Sequence, residues 1–170
     1  MNTTSRILLA VVAALAVSAC TKKTQVVETA PEPTPTPVVT PTAPVDDRYT
    51  PESLDTDSCL RQRVIYFDFD QSNVRSEAAA QIACHAKYLR DRPSARITLE
   101  GHADERGSRE YNLGLGERRG NAVNQALIGS GGAASQLTVV SYGEERPVAL
   151  GSSETSWQQN RRVEIVYTAR

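Results

Sequence analysis

Residues 101–123 read GHADERGSREYNLGLGERRGNAV. The rest of the chain is organised around this stretch, which leads from an apolar run through a charged loop into a helix and so predicts strand, loop and helix in succession. Asp104 lies in the loop and Arg119 lies fifteen positions later on the helix, so we expect a carboxylate and a guanidinium at one cleft. Such a pair suits a zwitterion, whose ammonium binds the carboxylate and whose own carboxylate accepts two hydrogen bonds from the guanidinium. An internal ion pair that orders the loop is the alternative.

The segments around this stretch predict further strands and helices. Alternating residues with β-branched and aromatic side chains indicate strands at 63–70, 95–100, 136–142 and 162–167. Apolar residues at helical spacing indicate helices at 76–91, from the charged loop to Gly129, and at 153–159. The order β-α-β-α-β-(α)-β predicts an α/β two-layer sandwich, with helices on one face of a mixed four-stranded sheet. The second and third strands should be parallel because a helical crossover joins them.

Residues 1–19 have the pattern of a secretory signal peptide. Arg6 precedes an apolar run of eleven residues, 7–17, which is too short for a bilayer that needs about 20. Val17-Ser-Ala-Cys20 resembles a bacterial lipobox, which implies that Cys20 becomes the lipidated first residue of the mature protein. Cleavage by ordinary signal peptidase is the alternative. Thr21 after the cysteine predicts sorting to the outer membrane, and Lys22-Lys23 leaves retention at the inner membrane open.

Residues 20–57 have the composition of a tether. Six of the nine prolines fall between Pro31 and Pro44, and the segment has neither helical nor strand periodicity. Such a sequence buries too little apolar area to offset its ordering entropy, so we expect an extended polyproline II spacer. At roughly 3.1 Å per residue it could reach on the order of 100 Å. A proline-rich ligand for an adaptor module is the alternative. The folded domain is expected at 58–170.

Charge and composition narrow the range of partners and cofactors. The chain carries 19 basic and 20 acidic residues, a net charge of −1, which does not favour a polyanionic partner such as nucleic acid. The run His102-Ala-Asp-Glu105 has the polar groups of a metal or acid–base cluster. However, no His-x-x-x-His or similar spacing completes a metal site, and no cofactor is indicated. His85 lies on a separate helix, where we expect it to face solvent.

The cysteines predict a disulfide in the folded domain. If Cys20 carries lipid, Cys59 and Cys84 remain, and an exported chain favours their pairing. Cys59 precedes the first predicted strand and Cys84 lies on the helix expected to pack against it. A buried free thiol at Cys84 and intermolecular pairing through Cys59 are the alternatives.

Three separated motifs carry a resemblance to a known family. They are Tyr66-Phe-Asp-Phe-Asp70, the stretch 101–107 with 111–119, and Ser141-Tyr-Gly-Glu-Glu-Arg-Pro147 with Asn160-Arg-Arg162. Behind a lipobox and a proline-rich spacer, they closely resemble the OmpA-like domain of the peptidoglycan-associated lipoprotein family, over about residues 60 to 168. Gly120, where the family usually has alanine, and the Cys59 and Cys84 pair depart from its pattern.

The resemblance implies noncovalent binding to the diaminopimelate stem peptide of peptidoglycan. Position by position, it assigns Asp104 to the ammonium of diaminopimelate and Arg119 to the carboxylate. The turn after the first strand and the following helix would complete the lining, with Phe69, Asp70, Asn112 and Leu115. The resemblance further implies a nonenzymatic tether between outer membrane and cell wall, with TolB and other Tol components as partners in cell division and envelope integrity.

Two other functions are the alternatives. A cell-wall hydrolase or amidase needs a nucleophile with a base, or paired carboxylates at glycosidase spacing, and no motif shows either. Covalent wall attachment, as in another class of wall-linked lipoproteins, uses a C-terminal lysine where this chain has Arg170. We expect Arg161 and Arg162 to be structural, with a secondary ligand role as the alternative, and Trp157 to be a packing residue.

Overall fold

The computed structural model describes residues 47–170; the expected signal peptide, Cys20 and most of the expected tether lie outside them. The described residues form, in order, α1 (Ser53–Thr56), β1 (Val64–Tyr66), α2 (Ala79–Asp91), β2 (Arg96–His102), α3 (Arg109–Gly129), β3 (Leu137–Gly143), α4 (Glu154–Asn160) and β4 (Arg162–Ala169). Single turns of 3-10 helix precede α2 and β3. None of the helices in this region is long and apolar enough to cross a bilayer.

The strands of residues 47–170 form one mixed sheet of four strands in the order β1-β4-β2-β3. β2 and β3 are parallel, and β4 is antiparallel to both of its neighbours, β1 and β2. The predicted α/β architecture and the parallel pairing of the second and third strands are therefore confirmed. In this arrangement the start of β4 lies between the ends of β1 and β2, and the end of β3 lies next to that of β2. The loops at these strand ends therefore meet at one end of the sheet.

The hydrophobic core lies between one face of the sheet and the two long helices. Alternate strand residues and one side of each helix contribute to it, as in Ile65, Ile97, Leu99, Val163 and Ile165 from the strands and Ile82, Leu89, Val123 and Leu127 from α2 and α3. This is the two-layer arrangement that the alternation in the strands predicts.

Two glycines allow α3 to rest directly on β2. A Cβ at Gly101 would lie 2.0 Å from the carbonyl oxygen of Gly116, and a Cβ at Gly116 would lie 2.8 Å from the carbonyl oxygen of Gly101. Only residues without a side chain permit this approach of helix backbone to strand backbone. Gly120 is also close to the sheet, since a Cβ there would lie 2.6 Å from Cγ1 of Val139. An alanine at this position would require Val139 to move.

The first strand is shorter than predicted. Instead of spanning 63–70, β1 ends at Tyr66, because Tyr66 pairs with Arg162, the first residue of β4, and has no strand to pair with beyond it. Phe67 then donates its N–H to the carbonyl oxygen of Arg161 at 2.9 Å, and Asp70 adopts a positive φ of 55°. The rest of the predicted strand is a turn over residues 68–71, which borders the candidate site described below.

The folded part begins upstream of residue 58, where the tether was predicted to end. Leu54 of α1 is fully buried in the core, and Tyr49 packs against the same core. The N–H of Tyr49 donates to Oδ2 of Asp91 at 2.9 Å, at the end of α2. Tyr49 and Leu54 are too few to form a periodic pattern, and they follow a proline-rich segment. The start of the domain could therefore not be predicted from these residues.

A disulfide joins Cys59 to Cys84, with 6.3 Å between the Cα atoms. It holds the segment before β1 against α2 and thereby covers His85, so the prediction that His85 faces solvent is wrong. Nε2 of His85 donates to the carbonyl oxygen of Gln62 at 2.9 Å, and Nδ1 accepts from the hydroxyl of Tyr167 at 2.7 Å. Burial lowers the pKa of His85, and the hydrogen bond to Gln62 offsets this only in part.

The glycine contact makes a prediction for two residues of the same helix. Gly116→Ala should reduce the free energy of unfolding by about 1–3 kcal/mol, because the new methyl group overpacks the contacts with Oγ of Ser141 on β3 and with the backbone of Gly101 on β2. Gly114→Ala should be neutral or stabilising by up to about 1 kcal/mol, because its Cβ meets only Nη1 of Arg118, at 3.4 Å, and alanine favours helix. Urea unfolding of both variants measures the difference; equal stabilities would contradict the assigned contact.

The disulfide makes a second prediction. Replacing both Cys59 and Cys84 with serine should reduce the free energy of unfolding by about 3 to 4 kcal/mol, because the bond closes a loop with a sequence separation of 25 residues in the unfolded chain. Unfolding of wild type with and without a reductant provides the comparison. A reductant should have no effect on the double variant, and unchanged stability of that variant would contradict the prediction.

Candidate functional site

The turn after β1, the loop after β2 and the first turns of α3 enclose a cleft of about 240 Å³. All six residues assigned to the ligand from sequence line it, namely Phe69, Asp70, Asp104, Asn112, Leu115 and Arg119. The sequence assignment missed three further lining residues, Arg106, Gly107 and Tyr111. The cleft is therefore bounded by two carboxylates and two guanidinium groups.

Arg119 forms the floor of the cleft and is held by three backbone carbonyls. Its side chain is fully buried, with 0% exposed. Nε donates to the carbonyl oxygen of Gln71 at 2.8 Å, Nη1 to that of His102 at 2.8 Å, and Nη2 to that of Asp68 at 3.1 Å. A guanidinium has five N–H donors, so these bonds leave one N–H on each Nη for a ligand.

Arg119 and Asp104 do not form the internal ion pair considered from sequence. The ion pairs of Asp104 within residues 47–170 are with Arg106 and Arg161. Burial lowers the pKa of Arg119 to about 10, and the nearby charge of Asp104 opposes this shift. The guanidinium therefore remains protonated at neutral pH, although it lies out of water.

Asp104 is 4% exposed and is surrounded by donors. Arg106 contacts both of its oxygens, with Nε 3.1 Å from Oδ1 and Nη2 2.6 Å from Oδ2. Nη1 of Arg161 lies 3.3 Å from Oδ2. Burial alone raises the pKa of Asp104, but the hydrogen bonds and charges of the arginines outweigh it and hold the pKa below its usual value. The carboxylate is therefore ionised at neutral pH.

Asn112 positions the loop that carries Asp104. Its Nδ2 donates to the carbonyl oxygens of Asp104 at 3.0 Å and Arg106 at 3.3 Å, and it also contacts Glu144. Oγ of Ser108 accepts the N–H of Tyr111 at 3.2 Å and so caps the start of α3. The side chain assigned to the ligand at position 112 thus also fixes the loop to the helix.

The opposite wall of the cleft is the turn after β1. Phe69 is 55% exposed on this turn, and the hydroxyl of Tyr111 donates to Oδ1 of Asp70 across the cleft. The guanidinium of Arg106 lies between two aromatic rings, with Cζ 4.0 Å from the ring centre of Phe69 and 4.0 Å from that of Trp157. Trp157 packs within the protein, as predicted, and the group it packs against is the cation that contacts Asp104.

The two arginines at the start of β4 have different surroundings. Arg161 is buried and joins Asp104 to Glu154, as its Nη2 donates to Oε1 of Glu154 at 2.7 Å. Arg162 pairs with Glu164 on the strand and does not line the cleft. The two arginines are adjacent in sequence, but Arg161 caps the end of α4 and only Arg162 belongs to β4, so they do not form one structural pair.

His102 ends β2, and only its backbone takes part in the site. The ring is 2% exposed and packs against Tyr142, with 5.5 Å between ring centres. Within the described region, neither ring nitrogen has a hydrogen-bond partner. Burial and the nearby charges of Arg162 and Arg146 together lower the pKa of His102 to about 4, although Glu164 opposes them. His102 and Asp104 have separate partners, and in residues 47–170 no cluster of three or more His, Cys, Asp or Glu could hold a metal.

Comparison with known proteins gives relatives for most of this domain. The model of the OmpA family matches residues 66–161. A peptidoglycan-associated lipoprotein of Pseudomonas aeruginosa is 50% identical over 114 residues, which cover 66% of this chain and 67% of that protein. One of Legionella pneumophila is 44% identical over 114 residues, 67% of this chain and 65% of that protein.

Two solved structures are also similar to this chain. The crystal structure of the peptidoglycan-associated lipoprotein from Burkholderia pseudomallei matches with a TM-score of 0.67 at 46% identity, covering 68% of this chain and 98% of that one. The C-terminal domain of Helicobacter pylori MotB matches with a TM-score of 0.54 at 26% identity, covering 62% of this chain and 84% of that one.

The buried ring of His102 predicts a loss of stability in acid. The folded-state pKa of about 4 lies below the value of 6.5 for an exposed histidine, so the unfolded chain binds this proton more readily. As the pH falls from about 6.5 to 4, the free energy of unfolding should decline by up to about 3 kcal/mol on account of this residue. Denaturant unfolding at pH 7 and pH 4, for wild type and His102→Phe, isolates the effect. Parallel declines in the two proteins would contradict it.

Proposed function

Because this chain belongs to the OmpA family, alongside the peptidoglycan-associated lipoproteins, we propose that it tethers the outer membrane to the cell wall. In this proposal the domain binds the diaminopimelate stem peptide of peptidoglycan noncovalently. The site is the cleft that holds Asp104 and Arg119, and the protein is not an enzyme.

The observation that carries the proposal is a cleft with an ionised carboxylate and a protonated guanidinium that do not neutralise each other directly. The free end of diaminopimelate carries an ammonium and a carboxylate on one carbon. Asp104 would accept the ammonium, and the two remaining N–H groups of Arg119 would bind the carboxylate. Leu115 supplies an apolar surface beside them.

The expected affinity is modest. Charge-assisted hydrogen bonds contribute about 1.5 to 3 kcal/mol each, so two of them with little burial correspond to binding on the order of micromolar. A membrane anchor would keep the domain beside many copies of the ligand, which raises the effective concentration and makes weak binding sufficient.

The anchor and further partners rest on the sequence and the family. Lipidation at Cys20, in a segment outside the described residues, would hold the protein at the outer membrane with its domain in the periplasm. We include TolB and other Tol components as partners, with roles in cell division and envelope integrity. Residues 20–46, which precede the described chain, would supply most of the reach.

A wall hydrolase is the less favoured function. Asp70 and Asp104 place two carboxylates in one cleft, as a glycosidase requires. A general acid needs a raised pKa so that it holds a proton at neutral pH. The pKa of Asp104 is shifted in the opposite direction by its arginines. The cleft therefore suits binding of a cation better than proton transfer.

A sacculus-binding experiment tests the proposal. The wild-type chain should sediment with purified sacculi and be released by free diaminopimelate, whereas Asp104→Asn should remain in solution because its side chain no longer attracts an ammonium. Glu117→Gln, on an exposed part of α3 outside the cleft, makes the same charge change and should sediment like wild type.

Thermal unfolding of each variant establishes that it is folded. Asp104→Asn is the informative substitution, because Arg119 also holds the backbone and its removal would disturb the turn at 68–71. Equal sedimentation of Asp104→Asn and wild type would contradict the proposal. Release of soluble wall fragments would favour the hydrolase.

A further inference from the structure

The site of the proposed ligand ammonium is already occupied by a cation of the protein. Arg106 contacts Asp104 through Nε, Nη2 and its own backbone N–H, at 3.1, 2.6 and 3.1 Å. Arg161 adds a contact of 3.3 Å to Oδ2. An arriving ammonium therefore finds both carboxylate oxygens hydrogen-bonded and must replace one of the two guanidinium groups.

Arg161 is the fixed one of the two. Its side chain is 4% exposed, its Nε donates to the carbonyl oxygen of Phe67 at 3.2 Å, and its Nη2 donates to Glu154 at 2.7 Å. Moving it would leave buried polar groups without partners, which is costly. Arg161 therefore remains on Asp104 when a ligand binds.

Arg106 is the movable one. Its side chain is 30% exposed and is bordered by the rings of Phe69 and Trp157 rather than by the core. A second carboxylate is already near, since its Nη1 lies 3.7 Å from Oε2 of Glu154. A short swing between the two rings would bring the guanidinium from Asp104 to Glu154.

We propose that Arg106 is an internal competitor for the ligand: its guanidinium pairs with Asp104 and moves to Glu154 when a ligand ammonium takes its place. The inference rests on the proposed function and adds a source of specificity to it. The exchange replaces one cation by another, so the buried carboxylate of Asp104 is never left unpaired. A ligand without a positive charge cannot make the exchange.

Arg106 thus selects zwitterions against dicarboxylates. Diaminopimelate offers an ammonium beside each carboxylate, whereas pimelate has the same chain length and carboxylates but no ammonium. Without an ammonium, pimelate leaves Arg106 on Asp104 and gains only a bond to Arg119. Discrimination between these two compounds is therefore a direct measure of the exchange.

The chain has one tryptophan, Trp157, whose ring lies against Arg106, so its fluorescence reports on this guanidinium. We expect titration of the full chain, purified in detergent, with diaminopimelate to change the emission, and titration with pimelate to leave it unchanged. A change of emission with pimelate equal to that with diaminopimelate would overturn the proposal.

Substitution of Arg106, the internal competitor, should strengthen ligand binding rather than weaken it. Arg106→Gln should bind diaminopimelate about tenfold more tightly by calorimetry, because the ligand no longer displaces a charge-assisted contact. Arg109→Gln is the matched control: Arg109 pairs with Glu145 outside the cleft, so the same charge change should leave affinity at the wild-type value. If Arg106 contacts the ligand instead, Arg106→Gln will bind more weakly, and that result, like an unchanged affinity, overturns the proposal.

A double substitution tests the acceptor of the moving arginine. Glu154→Gln should weaken binding severalfold in the wild-type background and have no effect in Arg106→Gln. Equal weakening in both backgrounds would show that Glu154 acts only through Arg161 and would overturn the exchange.

Should Arg106→Gln not fold, Arg106→Lys provides the same test. The lysine ammonium makes fewer simultaneous contacts with Asp104 than the guanidinium does, so this variant should also bind diaminopimelate more tightly than wild type.

The two proposals fail in different ways. Absence of diaminopimelate binding by both wild type and Arg106→Gln would overturn the proposed function together with the exchange. Binding by wild type with weaker or unchanged binding by Arg106→Gln would overturn the exchange alone.

Discussion

The buried guanidinium of Arg119 is the interaction on which the candidate site depends. A cation removed from water must be hydrogen-bonded, and three carbonyls from two separate segments provide those bonds. The turn at 68–71 and the end of β2 are therefore fixed with respect to α3. Phe69 and Asp70 belong to that turn, and Asp104 follows β2. Arg119 thus holds the walls of the cleft in place from its floor.

Arg119 reaches both segments only because α3 lies against β2. Gly116 rests on Gly101 about one helical turn before Arg119, and this contact leaves no room for a Cβ on either residue. A larger residue would lift the helix and carry the guanidinium away from the carbonyl oxygen of His102, which now lies 2.8 Å from it. The same approach of helix to strand therefore serves both the stability of the sandwich and the geometry of the cleft.

Periodicity predicted the element order and the parallel pair of strands, because both depend on local order along the chain. The pair Asp104 and Arg119 followed from their spacing, whereas the other four cleft residues were assigned only by the resemblance of their motifs to a known family. The partners of Asp104 could not be predicted in this way, because several arginines compete for its carboxylate. Arg106 is two residues away and Arg161 is distant in sequence, and both reach the carboxylate while Arg119 turns to the backbone. The end of β1 depended on where β4 begins, and the burial of His85 on a segment that packs back over α2. Such outcomes are set by tertiary packing, for which no single motif has a signal.

The position of the disulfide also affects how a pulling force on the upstream chain would enter the domain. The chain enters the domain near Asp91, just before β2 begins, whereas the cleft lies beyond the end of β2. A pull from upstream of residue 47 first meets α2 through the contact of Tyr49 with Asp91, and the disulfide at Cys59 joins the chain to α2 a second time before β1 begins. β1 and the turn at 68–71 lie inside the loop that the disulfide closes, so the load does not run along them. For the proposed tether, this places the turn held by Arg119 off the covalent path that leads from the upstream chain through the disulfide to α2.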